Sequence, residues 1–159
     1  MTRLTVIGIG SPFGDDRAGW HVANALAESK YVAAYGELIV VTACRSPAGE
    51  LPGLFANTEI AVVVDAVLDG GAPGTVYRME GRHFPAFAGR SFSSHGIALQ
   101  TILEVSDVLK IGPNATIVYG IEAEFIGTAS VMSESARRAA AWVVDNIKRD
   151  MAHYCADTR

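Results

Sequence analysis

The stretch RLTVIGIGSPFGDDRAGWHVANALAES (residues 3–29) carries three patterns in one run. Its first eight residues are a largely apolar run, rich in β-formers and closed by glycines, the form of a strand that runs into a tight turn. From Arg17 onward the apolar residues return at helical spacing, at Trp20, Val22, Ala23, Leu26 and Ala27. The unit reads strand, loop, helix. Gly8 and Gly10 open the loop as a nucleotide-binding turn would, yet Asp15 and Asp16 stand where an anion would sit. The dinucleotide fingerprint asks for a third glycine three residues after the second; Phe13 is there, and Gly14 comes one place late. The ribose-binding acid expected at the end of the second strand is also missing, since Thr42, Ala43 and Cys44 occupy that place. A phosphate loop would need Lys-Ser or Lys-Thr after the glycines. Two carboxylates about 4 Å from a phosphate would each cost on the order of 1 kcal/mol in water, and several times that at a partly buried dielectric. The loop therefore argues against a nucleotide and for a cation.

Working outward, ELIVVTAC (37–44) reads as a second strand and SPAGELPGLFANT (46–58) as a turn and a short helix broken at Pro52 and Gly53. EIAVVVDAV (59–67) is a continuous apolar run, as expected of a central parallel strand covered on both faces, and Asp65 is its polar interruption. Residues 75–79 form an edge or antiparallel strand after a glycine-rich turn, and residues 81–96 have aromatics but no period, so they read as a surface loop. Residues 97–110 return to helical spacing, with Ser93 or Ser94 available as cap. ATIVYGIEAE (115–124) is the last strand, and residues 133–150 form a helix capped by Ser133 with basic residues in its last turns.

This alternation predicts an α/β fold, a three-layer sandwich with a central, mostly parallel twisted sheet flanked by helices on both faces. A chain of 159 residues, half of them hydrophobic, is sized for one domain, with residues 151–159 as a mobile tail. The net charge of −4 and the scattered basic residues argue against nucleic-acid binding. The first apolar run is too short for a signal-peptide core or a membrane span, so a cytoplasmic protein without membrane insertion is expected. Cys44 and Cys155 lack the spacing of a disulfide framework or a zinc knuckle.

In sheets of this kind the ligand sits beyond the carboxyl ends of the strands. Asp16 after the first strand, Asp65 ending the central one and His95 opening the third helix all fall at that edge. Two carboxylates and an imidazole make a ligand set for zinc, nickel, manganese or iron with positions left open. A helix N-terminus favours the neutral imidazole, the form that binds metal. Each residue also has a plainer reading. An Asp in a glycine turn is commonly a turn or cap residue, which is the role assigned to Asp15. His95 would equally serve as a cap or a hydrogen-bonded core histidine. Asp65 is harder to explain structurally, because a carboxylate ending an apolar strand costs several kcal/mol when left without a partner. His21, His83 and His153 fall in a helix, a loop and the tail, and Cys44 has no basic neighbour that would activate it.

GIGSPFGDDRAG, VVVDAV and SSHGIALQTIL, in this order and spacing, resemble the [NiFe]-hydrogenase maturation proteases, and YGIEAE resembles that family's late strand. The resemblance covers nearly the whole chain. It implies a single domain of that type and an endopeptidase that removes a short C-terminal extension from a nickel-loaded [NiFe]-hydrogenase large-subunit precursor, completing maturation. The family's metal-contacting acid, aspartate and histidine fall on Asp16, Asp65 and His95, with Asp16 and Asp65 also the catalytic candidates. Nickel would be contributed by the precursor, not held as a resident cofactor. Two chemistries stay open: nickel polarising the carbonyl or a water with an aspartate as base, or an aspartic-type acid and base pair. Ser11 replaces the asparagine usual in the family, and TACRSPAGEL (42–51) replaces its Asp-Gly-Gly-Thr segment, which bears on the choice of client. The roles of Cys44, Arg17 and Arg45 are left open. Two other readings stand beside this one: a metallohydrolase with its own divalent metal, and a non-catalytic nickel-sensing hydrogenase chaperone.

Overall fold

The computed structural model describes residues 2–81, 96–127 and 131–156. The elements run β1 (Thr2–Ile9), a single 3-10 turn (Gly14–Arg17), α1 (Ala18–Ala27), α2 (Lys30–Ala33), a second 3-10 turn (Gly36–Leu38), β2 (Ile39–Cys44), α3 (Pro47–Ala56), β3 (Thr58–Val67), β4 (Val76–Gly81), α4 (Gly96–Leu109), β5 (Ala115–Glu122) and α5 (Glu134–Tyr154). The five strands form one sheet in the order β2-β1-β3-β5-β4. Four strands are parallel, and β4 pairs antiparallel to β5 at the edge, with Val76 opposite Ile121.

Alternation along the strands sorts the core into two layers. Leu4 and Val6 of β1, Ile60, Val62 and Val64 of β3, and Ile117, Tyr119 and Ile121 of β5 face α1 and α5. Ile7 and Ile9, Ala61 and Val63, and Val118 face α3 and α4. β3 is apolar on both sides because helices cover both, which is why its sequence lacks a period of two. The three-layer sandwich expected from the sequence is the observed architecture.

Four local readings are corrected. The first helix begins at Ala18, preceded by the 3-10 turn that holds both aspartates. α3 is not broken at Pro52 and Gly53, because burial of Leu51 and Phe55 outweighs the one backbone donor that proline lacks. α2 and the second 3-10 turn, both between α1 and β2, were missed because each is barely a turn long. The last helix runs to Tyr154, and Met151 and Cys155 are buried, so residues 151–155 belong to the packed unit and not to a mobile tail. Apolar side chains at Ala136, Ala139, Ala140, Val143, Ile147 and Met151 carry that helix onto the sheet. Asp150 adds a polar fastening, accepting 2.8 Å from the Arg78 guanidinium of β4 and 2.5 Å from the Tyr119 hydroxyl of β5. Burial and the Asp150 carboxylate together push the Tyr119 phenol above its ordinary range, so it stays a donor. No described helix is long and apolar enough to cross a membrane.

Candidate active site

β1 delivers its loop to the carboxyl edge of the sheet through an unusually close backbone approach. A Cβ on Gly8 would lie 2.0 Å from the Gly19 carbonyl oxygen, and one on Gly19 would lie 2.0 Å from the Ile9 carbonyl oxygen and 2.6 Å from that of Val64. The start of α1 therefore rests directly on the ends of β1 and β3, a packing that only glycines permit. Between these contacts the chain turns at Gly14, whose φ of +53° is in the left-handed region. Residues 14–17 then make one 3-10 turn packed against β3. Within it Asp16 is 4% exposed, its N–H donating to the Phe13 carbonyl and its carbonyl accepting from Ser11 N–H, each at 3.1 Å.

Asp65 interrupts the apolar run of β3 and is fully buried; the strand continues through Ala66 to Val67, so Asp65 does not end it as read from sequence. Alternation from Ala61 and Val63 puts it on the α3 and α4 side of the sheet. One carboxylate oxygen accepts from the Ala66 N–H at 2.9 Å. Its partner across the ladder is Gly120 of β5. Asp16 and Asp65 thus stand on adjacent structures, the 3-10 turn after β1 and the C-terminal half of β3, the strand against which that turn packs. His95 lies outside the described residues, immediately before α4 begins at Gly96. Among the described residues no three His, Cys, Asp or Glu side chains gather as a metal-binding group. His21 and His153 are exposed, and His83 also falls outside the described residues.

Asp15 has a different environment from its neighbour. Its carboxylate receives N–H bonds from Glu124 at 2.8 Å, Phe125 at 3.5 Å and Ser133 at 2.7 Å, together with the Ser133 hydroxyl at 2.7 Å. Its own N–H returns a bond to the Phe125 carbonyl at 3.2 Å. The turn role expected for Asp15 thus becomes a tie between the first loop and the connection from β5 to α5. Ser133 also caps α5, accepting from Ala136 N–H at 3.2 Å. Its cap was legible in sequence, whereas its bond to Asp15 joins residues 118 positions apart and left no local signal.

β2 ends beside the same loop. The Trp20 indole N–H donates to the Cys44 carbonyl at 3.0 Å, and the Arg45 guanidinium lies 5.3 Å from the centre of the Trp20 ring. The Glu50 carboxylate is occupied by the N–H groups of Arg45 and Ser46, at 3.0 and 2.7 Å. Among the described residues no carboxylate pairs with the Arg45 side chain, which lines a cavity of about 230 Å³ with Trp20, Asn24, Ala43 and Glu50. Arg17 is turned back on the loop, donating to the Pro12 carbonyl at 2.7 Å. The buried Cys44 thiol is pushed up to about 12, chiefly by burial and then by the Glu50 carboxylate, with a smaller contribution from Asp65. It is a neutral thiol, not a nucleophile.

The fold and the loop geometry define a mostly parallel α/β protein with buried carboxylates in the loop after β1 and in the C-terminal half of β3. Residues 21–150 match the sequence profile of the hydrogenase maturation proteases, and the chain belongs to that family. Its coarse activity follows from that membership, a maturation endopeptidase that hydrolyses peptide bonds. The same fold is seen in the hydrogenase maturating endopeptidase HybD from E. coli, at 20% identity and a TM-score of 0.77, covering 96% of this chain and 93% of that one. An endopeptidase from Escherichia coli superposes with a TM-score of 0.82 at 18% identity, covering 96% and 93%. The [NiFe] hydrogenase maturation protease HybD from Thermococcus kodakarensis gives 0.71 at 21% identity, covering 93% and 98%. Among curated protein sequences none matches this chain.

Proposed function

We propose that this endopeptidase removes a short C-terminal extension from the nickel-loaded precursor of a [NiFe]-hydrogenase large subunit, acting in the cytoplasm. The observation that carries this reading is the pair of buried carboxylates, Asp16 and Asp65, at the ligand-binding edge of a maturation-protease fold. Nickel enters as part of the substrate, held by the precursor. Asp16 and Asp65 offer it oxygen donors, and His95, by its position before α4, offers nitrogen. A precursor whose nickel docks there has its tail at the same edge, so metal insertion and cleavage are coupled.

Peptide hydrolysis needs a base for the attacking water and an acid for the departing amine. In this reading the two aspartates supply both, and the burial of their side chains strengthens their action. In the same reading Arg45, which lies over the Trp20 ring, would contact the bound tail.

The test is a cleavage assay on the host's own large-subunit precursor, prepared with and without nickel. The nickel-loaded form is expected to be processed and the nickel-free form left intact. Equal processing of the two forms would overturn the metal-reading proposal.

A further inference from the structure

Asp16 sits in a 3-10 turn of four residues, an element too short to hold its own geometry. Its backbone is fixed on both sides by Ser11 and Phe13, but those residues belong to the same exposed loop. Something outside the loop must hold the whole turn. We infer that Asp15 and Ser133 form a positioning pair for Asp16, anchoring the catalytic turn to the N-terminus of α5. The inference rests on the proposed role of Asp16.

Three observations carry it. The Asp15 carboxylate is fully buried and takes four donors on its two oxygens, which leaves little capacity for a metal or a water and gives it a mechanical task. Every one of those donors comes from residues 124–133, a different part of the chain, and the Asp15 N–H closes the clamp onto Phe125. Gly14 is pressed against the same segment, since a Cβ there would lie 3.2 Å from both the ring and the carbonyl oxygen of Phe125. Ser133 is the pivot. One hydroxyl serves Asp15 and, as acceptor, the first turn of α5, a helix of 21 residues rooted in the core. Asp15 is covalently next to Asp16, so any shift in the clamp moves the reacting carboxylate, and active-site chemistry tolerates little displacement.

The experiment compares precursor cleavage by purified variants at a temperature well below every melting point. Ser133→Ala keeps the backbone bond to Asp15 and loses only the hydroxyl. It is expected to lower kcat about tenfold or more with KM unchanged, and Ser133→Thr, which restores a hydroxyl, is expected to recover most of that loss. Asp150→Asn, which weakens the fastening of α5 far from the loop, is expected to lower Tm with kcat unchanged. Wild-type kcat in Ser133→Ala, with a lowered Tm alone, overturns the inference and makes Ser133 a plain helix cap. If Ser133→Ala does not fold, Asp15→Glu replaces it, and a wild-type kcat there has the same meaning. Asp16→Asn separates the two levels: processing that survives in that variant overturns the proposed function itself, whereas its loss beside an active Ser133→Ala overturns only the positioning pair.

Discussion

Adjacent identical residues in this loop have opposite surroundings, and that difference sets what each can do. Asp15 is saturated by backbone and hydroxyl donors, while Asp16 lies at the ligand-binding edge beside the end of β3. If Asp65 supplies acid or base chemistry, Asp65→Asn, nearly identical in shape, should reduce precursor processing by at least about a hundredfold with little change in Tm; a cleavage time course beside a thermal melt checks this. Cys44 should behave as an inert thiol. Its folded pKa of about 12 stands above the ordinary thiol value of 9.0, so the neutral form is favoured by folding. The stabilisation is whole below about pH 9 and is lost as pH rises from there through about 12. Denaturant melts across that window should show a fall in stability that Cys44→Ala reduces, and iodoacetamide at pH 8 should label the thiol only after unfolding. Asp16 and Asp65 stood out as candidates because each violates a local expectation, an acid in an anion-binding turn and a charge interrupting an apolar strand. The Asp15 clamp was not, because hydrogen bonds between distant segments obey no sequence period.

At the level of elements, the joint between β1 and α1 fixes the loop from below. Gly8 and Gly19 bring helix and strand backbones into contact, so Gly19→Ala would place a methyl carbon 2.0 Å from the Ile9 carbonyl. Neither backbone can yield without lifting α1 from the sheet. This variant is expected to lose about 4 kcal/mol or more, or to fail to fold, as read by urea denaturation. The glycine sought in the nucleotide fingerprint at position 13 or 14 was the wrong one to ask about. The close-packing role falls to Gly19 inside the helix, where sequence shows only a small residue between Ala18 and Trp20. Element types were legible where burial left a clear pattern, the unbroken apolar run of β3 and the helical spacing of α4 and α5. The short α2 and the unbroken α3 were not, since tertiary packing of Leu51 and Phe55 overrode the local signal of proline and glycine.

Over the whole molecule, the alternation of strands and helices announced a covered sheet, but strand order did not follow from it. β1 lies between β2 and β3, and β5 lies between β3 and the antiparallel β4. Those neighbours are chosen by helix packing on the two faces, which local pattern does not encode. The proposed site therefore draws on the first loop and the middle strand, with α5 holding the loop through Ser133. The tie from Asp15 to Ser133 gives this layout a timetable. During synthesis the loop emerges near the start, yet its anchor is made more than a hundred residues later. Until residue 133 has left the ribosome, Asp15 has no Ser133 to bind and Asp16 no fixed place. A nascent chain can hold all five strands and still lack this anchor, so the geometry proposed for Asp16 is completed only after residue 133 has emerged.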